Sequence, residues 1–153
     1  MKKWEELDME KWRRKEFKKA KKKLLKMWKE RKKWYMGQLK SIEVCQKTAT
    51  SDLKYLNERD IQERIELLNC NEKIIMKLLE YNIEWNNSMN ETVDNLVSIY
   101  FNDEQPEEDI VKEVAKESAA IDAFSQYVKE ILRIRKEHND SVIAIFQEHL
   151  GEI

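Results

Sequence analysis

His138, His149, Cys45 and Cys70 are the side chains best suited to metal or nucleophile chemistry in this 153-residue chain, and their spacing argues against both. The histidines are 11 positions apart. On a helix that leaves them about 20° apart around the axis but three turns apart along it, so they cannot share an ion. Neither belongs to a Glu-x-x-His or His-x-x-x-His pattern, the arrangement of helical metal sites. The cysteines lie 25 positions apart, with no CxxC pairing and no adjacent histidine. Neither a disulfide framework nor a zinc site is therefore expected, and a reducing compartment is. A serine or cysteine nucleophile would need a base held beside it at a strained turn or helix N-terminus, and no segment supplies that context. No phosphate-binding glycine loop occurs. The expectation is a chain that is not an enzyme and takes no metal or cofactor.

The residues with the clearest chemical character are cations interleaved with aromatics between Lys11 and Tyr35. Residues 1–36 hold 16 Lys or Arg against 6 Asp or Glu, whereas the remainder holds 13 against 24, so a net charge of −1 conceals two opposed ends. Candidate contacts to an anionic partner are Lys11, Trp12, Arg13, Arg14, Lys15, Lys18, Lys19, Lys22, Lys26, Trp28, Arg31, Lys33 and Trp34. Three chemistries fit this stretch. Lysines could neutralise phosphates, giving sequence-independent nucleic-acid binding. A basic amphipathic helix with Trp28 and Tyr35 as anchors could instead serve calmodulin or a membrane surface. An acidic protein surface is a further partner of the same kind. The plainer reading is a solvated face, or one that pairs with the acidic region of the same or another copy.

The elements that position these residues follow from what the chain lacks. Two glycines, Gly37 and Gly151, and one proline, Pro106, leave almost nothing to break a helix. With 39% of residues charged, the expected class is all-α: an elongated helical hairpin or coiled coil with a long basic N-terminal helix. The first apolar seam runs Phe17, Leu24, Trp28, Tyr35, Leu39, Ile42, Ala49, Leu53 and Leu56. The second runs Ile65, Leu68, Ile75, Leu79, Met89, Val93 and Leu96, and the third Ile110, Val114, Ile121, Phe124, Val128, Ile131, Val142 and Ile145. Gly37 falls inside the first pattern as a tolerated weak point. Thr48, Thr50, Ser51 and Asp52 mark an interruption, with a restart at Asp60 through a capping box to Glu63. Ser88 and Glu91 offer a similar box and a kink near Asn87.

Asn102 to Asp109 reads as a turn, with Pro106 opening the next helix. Residues 1–56 are then a basic, aromatic-rich helical arm, and residues 57–153 an antiparallel hairpin turning near 102–106. Glu72, Asn82 and Asn86 interrupt the middle seam. Arg135 and His138 interrupt the last one, where pairing with Glu72 or another acid across the hairpin would set register. The longest uncharged run, Asn95 to Asn102, is eight residues, too short for the ~20 that span a bilayer. No apolar signal follows Lys2 and Lys3, so three glycosylation sequons, the first at Asn86, are expected to be idle. The expected role is an intracellular, cytoskeletal or nuclear, coiled-coil structural or adaptor protein. It would assemble with itself or other helical subunits, with no small-molecule substrate.

Overall fold

A computed structural model describes residues 2–101 and 108–152, and among them three helices and no strand. These are α1 (Lys2–Thr50), α2 (Glu58–Phe101) and α3 (Glu108–Glu152). The chain is all-α. The expected turn near 102–106, with Pro106, lies outside the described residues.

The break between α1 and α2 shows how the sequence sets a boundary. Thr50 Oγ1 donates to the Gln46 carbonyl at 2.8 Å and Ser51 Oγ to the Thr48 carbonyl at 2.9 Å, so hydroxyls occupy the last helical acceptors. The Arg64 guanidinium reaches back from α2 to the carbonyls of Ala49, at 2.9 Å, and Ser51. A cation is thus placed at the negative end of α1. Asp52 (φ 48°) and Tyr55 (φ 63°) turn the chain through left-handed conformations, which cost a residue with a Cβ about 1 kcal/mol or more. The expected restart at Asp60 is corrected. Asn57 caps α2, its Oδ1 accepting from the Asp60 N–H at 2.8 Å, while Asp60 Oδ2 accepts from the Asn57 N–H at 3.3 Å. Glu63 pairs with Arg59 instead. No new helix starts at the Ser88–Glu91 box: α2 continues to Phe101, and the Ser88 carbonyl accepts from Thr92 Oγ1 within it.

Two compact units cut across all three helices. One comprises Met1–Lys33 with Glu84–Ser125. Its core joins Leu24 of α1 to Met89 and Val93 of α2 and Ile121 of α3, with Trp28, Trp85, Leu96 and Val114 around them. Phe124 makes T-shaped contacts with Trp28 and Trp85 at centroid distances of 6.5 and 6.2 Å, and Phe17 meets Tyr100 in the same manner.

The other unit comprises Trp34–Ile83 with Gln126–Ile153. Ala49, Ile61, Leu68, Ile143 and Phe146 form its core, covered by Leu56, Ile65, Val142 and Leu150. Tyr35, Leu39, Ile42, Ile75, Val128 and Leu132 are buried in it as well. Full burial of each such side chain contributes about 1.5 to 3 kcal/mol. The seam assignments of Leu53 and Ile145 are corrected, since these are 56% and 62% exposed. Ile143 takes the inward position in place of Ile145, and Leu78 is more deeply buried than Leu79.

Polar side chains complete this second core. Gln46, Asn71 and Asn139 are 2%, 3% and 0% exposed. Gln46 Nε2 donates to Asn139 Oδ1 at 2.8 Å and to the Arg135 carbonyl at 2.7 Å. Asn139 Nδ2 donates to the Leu68 carbonyl at 3.1 Å, and Asn71 Nδ2 lies 3.4 Å from both the Ile42 carbonyl and Asn139 Oδ1. One residue from each helix is therefore tied into a single layer. Arg135 does meet an acid, but on α1 and not across the hairpin: it lies 3.6 Å from Glu43 and 3.3 Å from Gln46 Oε1, whereas Glu72 meets Lys136 at 3.4 Å and His138 is exposed.

Candidate functional site

Helical geometry sorts the Lys11 to Lys33 stretch of α1 into two opposite sides. At 100° per residue, Phe17, Leu24 and Trp28 fall within about 40° of one another, and these side chains enter the core of the first unit. Facing away from them, an arc of about 80° holds Lys11, Lys15, Lys18, Lys22, Lys26, Lys29 and Lys33, and no other residue type between its ends. All seven are exposed, and none forms an ion pair or hydrogen bond among the described residues. Their steps of three and four residues place successive ammonium stems about 4.5 to 6 Å apart along a ridge of about 33 Å. Like charges at that spacing repel. An anion lying along the ridge would relieve that repulsion.

The other cations of the stretch behave differently. Lys21 is mostly buried and pairs with Glu113 and, at 3.6 Å, with Glu117 on α3. Arg14 approaches Asp109 at 3.8 Å, and Lys19 pairs within the helix with Glu16. Arg13 and Arg31 also have partners. Lys32 lies over the Trp28 ring at 4.2 Å, and its cation also faces Phe124. Part of the positive charge thus holds α1 to its own unit, and the lysine ridge is what remains outside.

The aromatic candidates divide in the same way. Trp12 is 53% exposed at the edge of the lysine arc, and Met27 is 63% exposed. Trp28 is corrected as a partner contact: it packs on Phe124 and lines, with Leu24, Met89 and Val93, an apolar cavity of about 20 Å³, room for one water molecule. Tyr35, an expected anchor for calmodulin or a membrane, is 1% exposed and stacks edge-on with Trp34. Trp34 itself is 39% exposed. Using Trp28 or Tyr35 as anchors would require drawing them out of a core.

Lys29 was not among the candidates read from sequence, although its spacing from Lys22, Lys26 and Lys33 was there to be read. A second feature could not have been found that way. Leu53, Tyr55, Ile145 and His149 surround an open, largely apolar groove in the second unit, over Ile61 and Phe146. Among the described residues no group of three His, Cys, Asp or Glu is placed to hold a metal ion, and no helix is long and apolar enough to cross a membrane. Burial raises the Cys45 thiol above its ordinary value, with nearby Cys70 adding to the effect, so the reactive thiolate is disfavoured. No known protein family, curated protein or solved structure matches the chain.

Proposed function

We propose that this chain is a non-enzymatic helical interaction protein, a structural or adaptor subunit that meets an anionic partner through the outer face of α1. The observation that carries the reading is the two-sided stretch from Lys11 to Lys33, with Phe17 and Leu24 planted in the core behind an unbroken, exposed arc of lysine. A helix held by its apolar side presents the charged side at a fixed place, which favours association with an opposite charge. Assembly with itself or other helical subunits is the second part of the proposal. Leu67, Ile74 and Tyr81 support it, recurring every seven residues on α2 while 39%, 45% and 47% exposed, a spacing that suits a further helix. The antiparallel hairpin of residues 57–153 belongs to the same proposal. It is supported by the Ser118 and Asp122 bonds to Asn90 in one unit and the Asn139 bond to Leu68 in the other. The arm of residues 1–56 then serves as the contact element, in an intracellular setting that keeps both thiols reduced.

The test compares the full chain with a variant carrying Lys15→Gln, Lys18→Gln, Lys22→Gln and Lys26→Gln on a dextran sulfate column. Retention of the full chain at 0.1 M salt, lost in the variant, is expected. Equal elution of both removes the reading. Sedimentation equilibrium tests assembly: a mass above 18.6 kDa that falls when Leu67, Ile74 and Tyr81 become Ser is expected, and an unassociated chain at every concentration removes self-association.

A further inference from the structure

We infer that the partner of the lysine ridge is a single-stranded nucleic acid, bound through its phosphates; this rests on the anionic-contact reading above and specifies its ligand. Four features of the ridge select that chemistry. Its seven cations are alike and evenly stepped, and no residue of another type stands among them within the arc. A surface of lysine alone offers point charges and no shape to read, which suits a polymer carrying one charge per repeat. Folded protein partners instead meet surfaces with an apolar centre, where lysine is depleted.

A bilayer-binding helix buries an apolar face in the headgroup region. Here the apolar side of the same stretch, Phe17 and Leu24, is already spent on the core, at 1% and 8% exposure. On an α-helix, steps of three and four residues also keep the ridge running along the helix axis. A duplex holds its phosphates on a stiff helix that turns once in about 34 Å, so a row of lysines along one side meets only the phosphates that face it. A flexible single strand can follow a straight line of charge throughout. Trp12, half exposed and within one turn of Lys15, adds a ring face on which a base can stack.

Salt dependence gives the number of contacts. For single strands the slope of log K against log salt is about 0.7 per phosphate neutralised, so seven lysines predict a slope near −5. The experiment follows the anisotropy of fluorescein-labelled (dT)20 with the full chain between 50 and 200 mM KCl. The Lys15, Lys18, Lys22 and Lys26→Gln variant, with three ridge lysines left, should bind more weakly with a slope near −2. A variant with Lys73, Lys77 and Lys129→Gln, exposed lysines off the ridge, should match the unaltered chain. Far-UV circular dichroism confirms that each variant keeps its helix.

Labelled polyglutamate and vesicles containing 30% phosphatidylserine are run in parallel. Binding of (dT)20 with these slopes supports the inference. No binding at 50 mM salt, or binding unchanged by the ridge variant, overturns it. If polyglutamate or vesicles bind through the ridge and (dT)20 does not, the single-strand assignment fails while the anionic-contact reading survives. If none of the three probes binds, both fail.

Discussion

Asn139 is the residue through which the second unit's polar layer is joined. Its carboxamide accepts from Gln46 and Asn71 and donates to the Leu68 carbonyl while wholly buried. Truncation to Ala would leave buried donors short of partners and open a small void. Asn139→Ala should lower the unfolding free energy by about 2 to 3 kcal/mol in urea denaturation; a change within error would mean that the layer is dispensable. Because these bonds are satisfied only in one alignment of the three segments, the layer penalises slipped registers. A nearby carboxylate makes stability depend on pH. Burial and the neighbouring Asp140 raise Glu72 above its ordinary 4.5, with Lys136 acting against them. The folded chain then holds that proton more tightly than the unfolded chain does. The resulting stability is full below the unfolded value and is lost as pH rises through the folded one. Glu72→Gln should flatten the stability curve just above pH 4.5, the reference value from which the shift starts; thermal unfolding at half-unit steps would reveal a curve of unchanged slope if the assignment is wrong.

At the scale of the element, α1 carries its weakest residue in mid-helix. Gly37 has no positive φ, and a Cβ built there meets nothing within 4 Å. Gly37→Ala should therefore stabilise by about 1 kcal/mol, raising Tm by about 2 to 4 °C in calorimetry. A lower Tm would show that the site needs glycine for a reason other than space. Element boundaries were partly legible. The hydroxyl cluster at Thr48 to Asp52 marks the end of α1, but Asn57 and not Asp60 caps α2, because three acidic or amide side chains compete for the role within four residues. Helix phase was legible where apolar residues are sparse, as at Phe17 and Leu24. It was ambiguous where they crowd, as across Val142, Ile143, Ile145 and Phe146. There buried Asn139 sets the phase, carrying Ile143 and Phe146 inward at steps of four and seven.

The two compact units share every helix, so the N-terminal segment has a structural task as well as a proposed contact role. Residues up to Lys33 supply Phe17, Leu24 and Trp28 to a core whose other walls are Met89, Val93 and Ile121. A chain beginning at residue 34 should lose more helix by circular dichroism than its missing residues account for, with fast amide exchange across 84–125. Retained protection there would show that α2 and α3 suffice for that unit. The same packing explains why charge substitutions, and not deletion, are the informative variants for the lysine ridge.

Composition and periodicity alone determine that this is an all-helical chain, because both properties are local: few helix breakers and a 3.6-residue apolar repeat. The all-lysine arc is local as well, since spacing defines it. What the apolar side of α1 packs against was settled by tertiary contact, because Phe17 and Leu24 have a core to enter only when α2 and α3 lie beside them. Spacing already put Trp28 on the side of Phe17 and Leu24 and Trp12 off it; tertiary structure supplied Phe124, on which Trp28 packs. It decided that Gln46, Asn71 and Asn139, distant and unremarkable along the chain, would satisfy one another. Periodicity marks which positions lie inward, and only the neighbours assembled there determine whether a polar group at such a position finds its partner.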